Sequence, residues 1–449
     1  MNSNLEKKLK EELEELKSNH LNRTVDDLRF ISSTKAIDEN NKEYLVFGTN
    51  NYLGLTHHPN VIKASKEASE YGTGSTGSRL TTGASFEARV LENNLSNFKN
   101  TESTLIFNTG YMANLGVIYA LTKENDVIFS DQLNHASIID GTRISKAKVR
   151  VYKHKDTIDL ENLILDELES NKEGNLFIVT DGVFSMDGDI APLPELVEIS
   201  KKYNCSLIID DAHATGVIGK TGKGTVEYFK DKTGIDLTEY VDLQIGTLSK
   251  ALASEGGFVS GKQVYIDYLI NKSRPFIFST ALSPATIASA NAALNLLKEN
   301  SEEYLENLNS NTKLMRKLLS DAGLNIVEGE TPIIPIIVGP PELANRLSDE
   351  LKKEGILVSA IRPPSVPKGE SRLRLTIIAT YTKEEIEFAA NTIIEIWNKI
   401  NQWFKKIVAT HTFCNGMPRV THILFYTAFI LANYSASLRG HQHICSCIL

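Results

Sequence analysis

V-D-L-Q-I-G-T-L-S-K-A-L-A-S-E-G-G-F-V-S-G-K, from Val241 to Lys262, is the stretch from which the rest of the chain can be read. A short apolar run reaches a Gly-Thr-x-Ser-Lys turn, and the glycine pair Gly256-Gly257 opens a second apolar run. That order predicts Lys250 in a tight loop between two buried strands. Burial and neighbouring cations lower an ammonium pKa and free the neutral amine that Schiff-base chemistry uses. Taken alone, the stretch is better read as carrying an ordinary surface-loop lysine.

The balance shifts with L-I-I-D-D-A-H-A-T-G-V-I-G, Leu207 to Gly219, where an apolar run ends in Asp210 and Asp211 and His213 follows in a loop. Side chains at the carboxyl ends of α/β strands face the usual ligand crevice. A carboxylate, an imidazole and a lysine at successive strand ends suit pyridoxal phosphate (PLP). An Asp pairs with the ring nitrogen, a Lys condenses with the aldehyde, and a His touches the ring hydroxyl or face. The alternatives are a metal pair, Asp211 with His213, or an Asp that caps the next segment. Neither accounts for Lys250 in the same ring of loops.

Working outward, apolar or β-branched runs occur at Thr104 to Phe107, Val127 to Phe129, Lys148 to Tyr152, Leu176 to Thr180, Leu207 to Ile209, Leu243 to Ile245 and Gly257 to Val259. Helical patterns separate several of them, notably Ala113 to Leu121, Leu160 to Ser170 and Leu193 to Tyr203. Seven runs with helical crossovers predict an α/β fold with a mostly parallel, doubly covered sheet. After Pro284 come helices to about Lys298 and from Glu302 to Gly323. Strand Pro332 to Val338, helix Pro341 to Glu354, strands Ile356 to Ile361 and Arg372 to Ile378, and helix Lys383 to Trp397 complete a smaller α+β unit. Leu5 to Leu21 reads as an opening helix and Glu43 to Phe47 as a strand. G-T-G-S-T-G at Gly72 to Gly77 matches a dinucleotide fingerprint in letters, but a helix precedes it and a polar loop follows.

Lys plus Arg number 48 against 56 Asp plus Glu, a net charge of -8, which gives no footprint for a nucleic-acid partner. The opening residues mix both signs without an apolar core, unlike a secretory signal. Four cysteines in 449 residues make no disulfide framework, so the expected compartment is cytoplasmic. From Lys399 to Leu449 there is no Asp or Glu, while Cys414, Cys445 and Cys447 and four histidines gather there. Val420 to Ala432 is apolar but shorter than the roughly 20 residues that span a bilayer, so no stable membrane association is expected. His441 to Cys447 has one-residue gaps that suit structural zinc poorly, and no metal is expected. This tail reads as an appended extension without a catalytic role.

Several separated motifs together resemble the α-oxoamine synthases of PLP fold type I, from about Glu43 to Trp397. They are T-N-N-Y-L-G-L at Thr49 to Leu55, G-S-T-G-S-R-L-T-T-G at Gly74 to Gly83, N-H-A-S-I at Asn134 to Ile138 and D-G-V-F-S-M-D-G-D at Asp181 to Asp189. D-D-A-H-A-T-G at Asp210 to Gly216, T-L-S-K at Thr247 to Lys250 and R-L-R-L at Arg372 to Leu375 complete the set. The resemblance implies an aspartate-aminotransferase-like large domain with a mostly parallel seven-stranded sheet, plus a smaller α+β C-terminal domain. It divides the chain into an N-terminal segment 1–50, a PLP-binding domain 51–289, a small domain 290–398 and the extension 399–449.

By the same resemblance, Lys250 is the Schiff-base lysine and takes the Cα proton of the bound amino acid. Asp210 holds the pyridine nitrogen protonated, His213 and Ser185 meet the ring hydroxyl, and His135 stacks on the ring. Backbone N–H groups of Gly110 and Tyr111 at a helix start hold the phosphate, as helix N-termini do. Thr247 adds a hydroxyl, and Thr280 reaches the phosphate from the other subunit of a homodimer with composite sites; Ser279 precedes it. Arg374 anchors the substrate carboxylate with Asn50 as helper, although alternation puts Arg372 on the same face and cannot choose between them. Arg23 contacts the acyl chain or its carrier. Ala88 stands where many relatives carry His, which implies a packing change. The implied reaction is a decarboxylative condensation of an amino acid with an acyl-CoA or acyl-carrier-protein thioester. The motifs most resemble the branch that joins L-alanine to a pimeloyl thioester in biotin biosynthesis. The alternatives are a member joining glycine to acetyl-CoA and a non-catalytic homologue.

Overall fold

The computed structural model describes residues 4–170 and 173–414. All seven runs become strands of one sheet; Lys148–Tyr152 keeps its expected bounds and the other six are extended by one or two residues. Their spatial order is Ser103–Phe107, Gly257–Gly261, Leu243–Thr247, Ser206–Asp210, Leu176–Asp181, Val127–Asp131 and Lys148–Tyr152. Gly257–Gly261 runs antiparallel to both neighbours and every other pairing in this sheet is parallel. The extensions matter, because they bring Asp131, Asp181, Asp210 and Thr247 into the carboxyl ends of strands.

Alternation explains why the runs are continuously apolar. Val127, Phe129, Ile178, Leu207 and Ile209 face one buried cluster with Leu160, Ile164 and Leu193 from the helices Thr157–Ser170 and Leu193–Tyr203. Ile128, Phe177, Val179, Ile208 and Ile245 face another, with Val117, Ile118 and Ile138 from helices Gly110–Leu121 and Ala136–Ile144. Successive residues on a strand point to opposite faces, so a sheet covered on both sides has no polar phase. Each such side chain contributes about 1.5–3 kcal/mol on burial.

The two helices expected after Pro284 are present within Pro284–Asp321, separated by a kink at Asn300 (φ -130°, ψ 28°), inside the expected gap between Lys298 and Glu302. The smaller unit has a three-stranded antiparallel sheet, with Ser371–Thr376 between Ile333–Gly339 and Ser359–Ile361. The single strand expected over Ile356 to Ile361 is two: Ile356–Leu357 instead pairs in parallel with Glu43–Val46. That pairing ties the N-terminal segment to the small unit, where Asn50 Oδ1 accepts from Arg374. The last helix, expected to stop at Trp397, runs Lys383–Cys414, and Ile400 is buried in the core. The apolar run from Val420 and the His441 to Cys447 cluster lie outside the described residues. Among the described residues, no helix is long and apolar enough to cross a membrane.

Candidate active site

Strand ends and three loops meet above the carboxyl edge of the large sheet. After strand Leu243–Thr247 the chain turns tightly: the Thr247 hydroxyl donates to the Gly256 carbonyl (2.8 Å) and accepts from the Ser249 N–H (3.2 Å). Leu248 N–H reaches Gly256 O, and Ala253, at φ 52°, returns an N–H to the Lys250 carbonyl. This closed loop presents the Lys250 amine inward. Burial lowers its pKa to about 8; the Arg374 charge acts in the same direction, against the Asp210 and Asp181 carboxyls, which raise it.

Asp210 ends its strand beside Asp181, its register partner on the neighbouring strand. One Asp210 oxygen accepts from the Ala212 N–H (2.9 Å) and the other from the Asn114 amide (2.6 Å). Burial and the adjacent Asp210 push the Asp181 carboxyl well above the usual range, with Asp131 adding to the effect. Two buried acids side by side disfavour each other's charged form, and it is on Asp181 that the upward shift falls. Its oxygen receives the His135 backbone N–H at 2.7 Å.

His135 caps helix Ala136–Ile144 through Nδ1, which accepts from Ser137 N–H (3.2 Å) and lies 2.7 Å from Ser137 Oγ. Burial lowers its pKa, with the Lys250 charge adding to this, so the ring stays neutral with its proton on Nε2. Asn114 bridges Ser137 Oγ (2.9 Å) and Asp210, joining the His135 and Asp210 positions by one amide. His213 is buried, Nδ1 2.6 Å from the Tyr52 hydroxyl, and burial with the Lys250, Arg374 and His135 charges holds it well below its ordinary pKa.

Helix Gly110–Leu121 starts against the same loop. Thr109 caps it, its hydroxyl accepting from the Met112 N–H at 3.0 Å, and a Cβ on Gly110 would lie 3.5 Å from Thr247 Cβ. A Cβ on Gly257 would stand 2.6 Å from Gly110 N and Cα, so only glycine lets the helix start sit directly on that strand. Tyr111 is turned outward, its hydroxyl on Asp140 and its ring edge-on to His135.

The two arginines that alternation left equal differ in the partners they already hold. Arg372 is consumed by Asp187, Glu370 and the Glu370 carbonyl. Arg374 donates to the Ser185 carbonyl, to Asn50 Oδ1 (3.2 Å) and to Thr376 Oγ1 (2.8 Å), while its Nη2 is buried without a partner. A buried guanidinium nitrogen left unpaired is a donor awaiting an acceptor.

Thr280 is exposed and not brought into this cluster; it forms a bridge with Ser78, and its carbonyl accepts from Asn108. Ser279 makes only a long contact with Met112 sulfur, 4.0 Å. Arg23 lines a cavity of about 740 Å³ with Gly48, Thr49 and Arg362, next to Asn50. Burial and the Arg23 charge both lower the Arg362 pKa. Gly72 to Gly77 lies after helix Pro59–Ser69 and packs on Ala281 and Gly83, with no strand before it. Ala88 is buried near the start of helix Phe86–Lys99, as a packing position.

Sequence reasoning singled out neither Asn114, Tyr52 nor Asp181, although Tyr52 and Asp181 lie in quoted motifs. The available signal was a polar side chain within an otherwise apolar helix for Asn114, and a carboxyl at the end of a buried run for Asp181.

A seven-stranded α/β sheet with a strand-end lysine, a buried acid opposite it and a free arginine donor alongside defines an enzyme built around a reactive amine. The chain belongs to the aminotransferase class I and II family, whose sequence model matches residues 42–393. It is 49% identical to 8-amino-7-oxononanoate synthase of Lysinibacillus sphaericus over 80% of this chain and 90% of that one. The enzyme of the same name from Citrifermentans bemidjiense is 43% identical over 87% and 98%. Among solved structures, Sphingomonas wittichii serine palmitoyltransferase aligns with TM-score 0.81 at 31% identity, covering 89% of this chain and 99% of that one. Francisella tularensis 8-amino-7-oxononanoate synthase aligns with TM-score 0.67 at 30% identity over 80% and 99%.

Proposed function

We propose that the chain is a PLP-dependent acyltransferase that condenses L-alanine with pimeloyl-CoA, or pimeloyl-acyl-carrier protein, to 8-amino-7-oxononanoate. Carbon dioxide and CoA, or the free carrier, are released. The observation that carries the proposal is the Lys250 amine, lowered to about 8, facing Asp210 and beside the unpaired Nη2 of Arg374. Relatives of that name cover nearly their whole length in this chain, and the related chain named SPT was solved with PLP.

The residues fit the cofactor by their chemistry. The helix start at Gly110 and Tyr111 with the Thr247 hydroxyl suits a phosphate. When bound, PLP supplies an aldehyde for the amino acid's amine and an electron-accepting ring. Asp210, oriented by Asn114 and Ala212, holds a proton at the ring nitrogen. His213 and Ser185 would meet the ring hydroxyl; a Tyr52 hydroxyl donating to His213 Nδ1 leaves an Nε2–H available for it. His135 would cover the ring face. Arg374 and Asn50 grip the alanine carboxylate, and Lys250, free as the neutral amine, takes the Cα proton. The acyl chain or its carrier approaches through the cavity at Arg23.

The same reading includes a cytoplasmic homodimer in which Thr280 serves the neighbouring site. Its support is an apolar surface around that loop, where Tyr71, Phe86 and Phe278 are 88%, 89% and 70% exposed. The deciding assay offers alanine or glycine with pimeloyl or acetyl thioesters. Turnover of alanine with the pimeloyl donor, at least tenfold above glycine with acetyl-CoA, is expected; the reverse preference overturns the substrate assignment.

A further inference from the structure

One side chain outside the residues used above has both ring nitrogens committed to carboxylates. His154 lies two residues past strand Lys148–Tyr152, with Nδ1 2.9 Å from Asp131 Oδ1 and Nε2 2.9 Å from Asp189 Oδ2. A neutral imidazole has a single N–H and would turn a lone pair toward one carboxylate; only the imidazolium donates to both. The ring meets Phe184 edge-on, centroids 4.4 Å apart at 89°, which fixes its plane. Burial alone would lower the pKa, but hydrogen bonds to Asp131 and Asp189 and their charges raise it to about 9.

The two carboxylates belong to different loops of the site. Asp131 ends a sheet strand and accepts from the Leu133 N–H (2.8 Å) and the Lys155 N–H (2.9 Å), opening the turn that delivers His135. Asp189 closes the turn held by the Val183 and Ile190 bridge, with Phe184 N–H on its carbonyl. That turn carries Ser185, whose carbonyl receives Arg374, and Asp187, which pairs with Arg372. The other titratable groups facing His154 or its acids are few. Lys155 Nζ reaches Asp189 at 2.8 Å, Asp181 feels the Asp131 charge, and the buried Tyr152 phenol is raised by burial and by Asp131. Lys155 places its ammonium on Asp189 alone, so the charge that spans both loops is that of His154.

We infer that His154 is a positioning residue whose imidazolium locks the His135 loop to the Ser185 turn, so that the grip of Arg374 on the substrate carboxylate depends on its proton. The inference rests on the function proposed above. The test compares wild-type and His154→Gln holoenzyme. Gln keeps the size but donates to one carboxylate only. The variant is expected to raise KM for L-alanine about tenfold at pH 7.5 while kcat falls less than about threefold. Wild-type KM should rise through pH 9, and the variant's should not. The stabilisation from His154 has its sign fixed by a raised folded pKa: it is complete below about pH 6.5 and lost as pH rises through 9. The wild-type Tm advantage over the variant should therefore vanish above pH 9. Unchanged KM, or a Tm difference independent of pH, overturns the inference. If the variant does not fold, a 15N titration of wild-type histidines decides. Both His154 nitrogens should be protonated at pH 7.5 with a midpoint near 9, and a midpoint near 6.5 overturns it. Should no amino acid turn over, the proposed function fails while the nitrogen titration still answers for the clamp.

Discussion

Lys250 has the most exposed consequences of any residue in this chain, because its environment sets both its charge and its chemistry. With the amine at about 8, cofactor capture should accelerate as pH rises from 7 to 9, since only the neutral form attacks an aldehyde. Stopped-flow absorbance of the apo-protein mixed with PLP gives the midpoint; a value near the ordinary lysine range contradicts the burial argument. Lys250→Ala should lose turnover and the covalent PLP band while keeping the wild-type Tm within a few degrees. Reductive trapping and peptide mapping that place the pyridoxyl group on another lysine would end the assignment. Asp210→Asn should bind PLP yet lose about 10²-fold or more in kcat, as an amide cannot hold the ring nitrogen protonated. Lys250, Asp210 and His213 were legible because they end or follow apolar runs. Arg374 was not separable from Arg372 by pattern, because what separates them is which guanidinium nitrogens neighbouring loops have already occupied. Asn114 and Tyr52 act through distance and register, which a linear pattern does not contain.

The elements were legible to within a few residues wherever both faces of a strand or one face of a helix decide burial. All seven sheet strands and helix Leu193–Tyr203 follow from that periodicity. The failures have one physical origin. Ile356 to Ile361 is a single apolar run, but its two halves pair with different sheets, and partner choice leaves no local trace. The same holds for the antiparallel insertion of Gly257–Gly261, whose glycine serves a neighbouring helix. Gly257→Val should displace the helix start at Gly110 and weaken PLP binding at least tenfold, with a smaller effect on Tm. Equal PLP affinity in a fluorescence titration would show that the contact is slack. At the far end, truncation after Lys399 removes Ile400 from the core and should cost about 1.5–3 kcal/mol in denaturant unfolding. Truncation after Cys414 should leave kcat/KM within about twofold; a larger loss would give the tail a part in catalysis.

At the scale of the molecule, the proposed dimer is the main expectation beyond one chain. Thr280→Ala and Lys250→Ala proteins, each impaired, should regain up to about a quarter of wild-type activity when mixed and allowed to exchange subunits, because one composite site is then intact. No recovery, together with a monomer in sedimentation, would leave each site self-contained. Fold class and sheet were readable from sequence at this scale, whereas the surface that a second copy covers depends on which apolar residues the fold leaves outside. The parallel pairing of Val46 with Leu357 has a further consequence during synthesis. Contacts between distant residues form only once both have left the ribosome, and domains generally complete themselves from the N-terminus onward. The large sheet, finished at Gly261, can assemble while the Glu43–Val46 strand, already paired with Lys35–Ile37, still lacks Ile356–Leu357 on its other edge. Asn50 and Arg374 meet only after the last strand emerges, so a nascent chain is able to close its lysine loop before it can hold an amino acid.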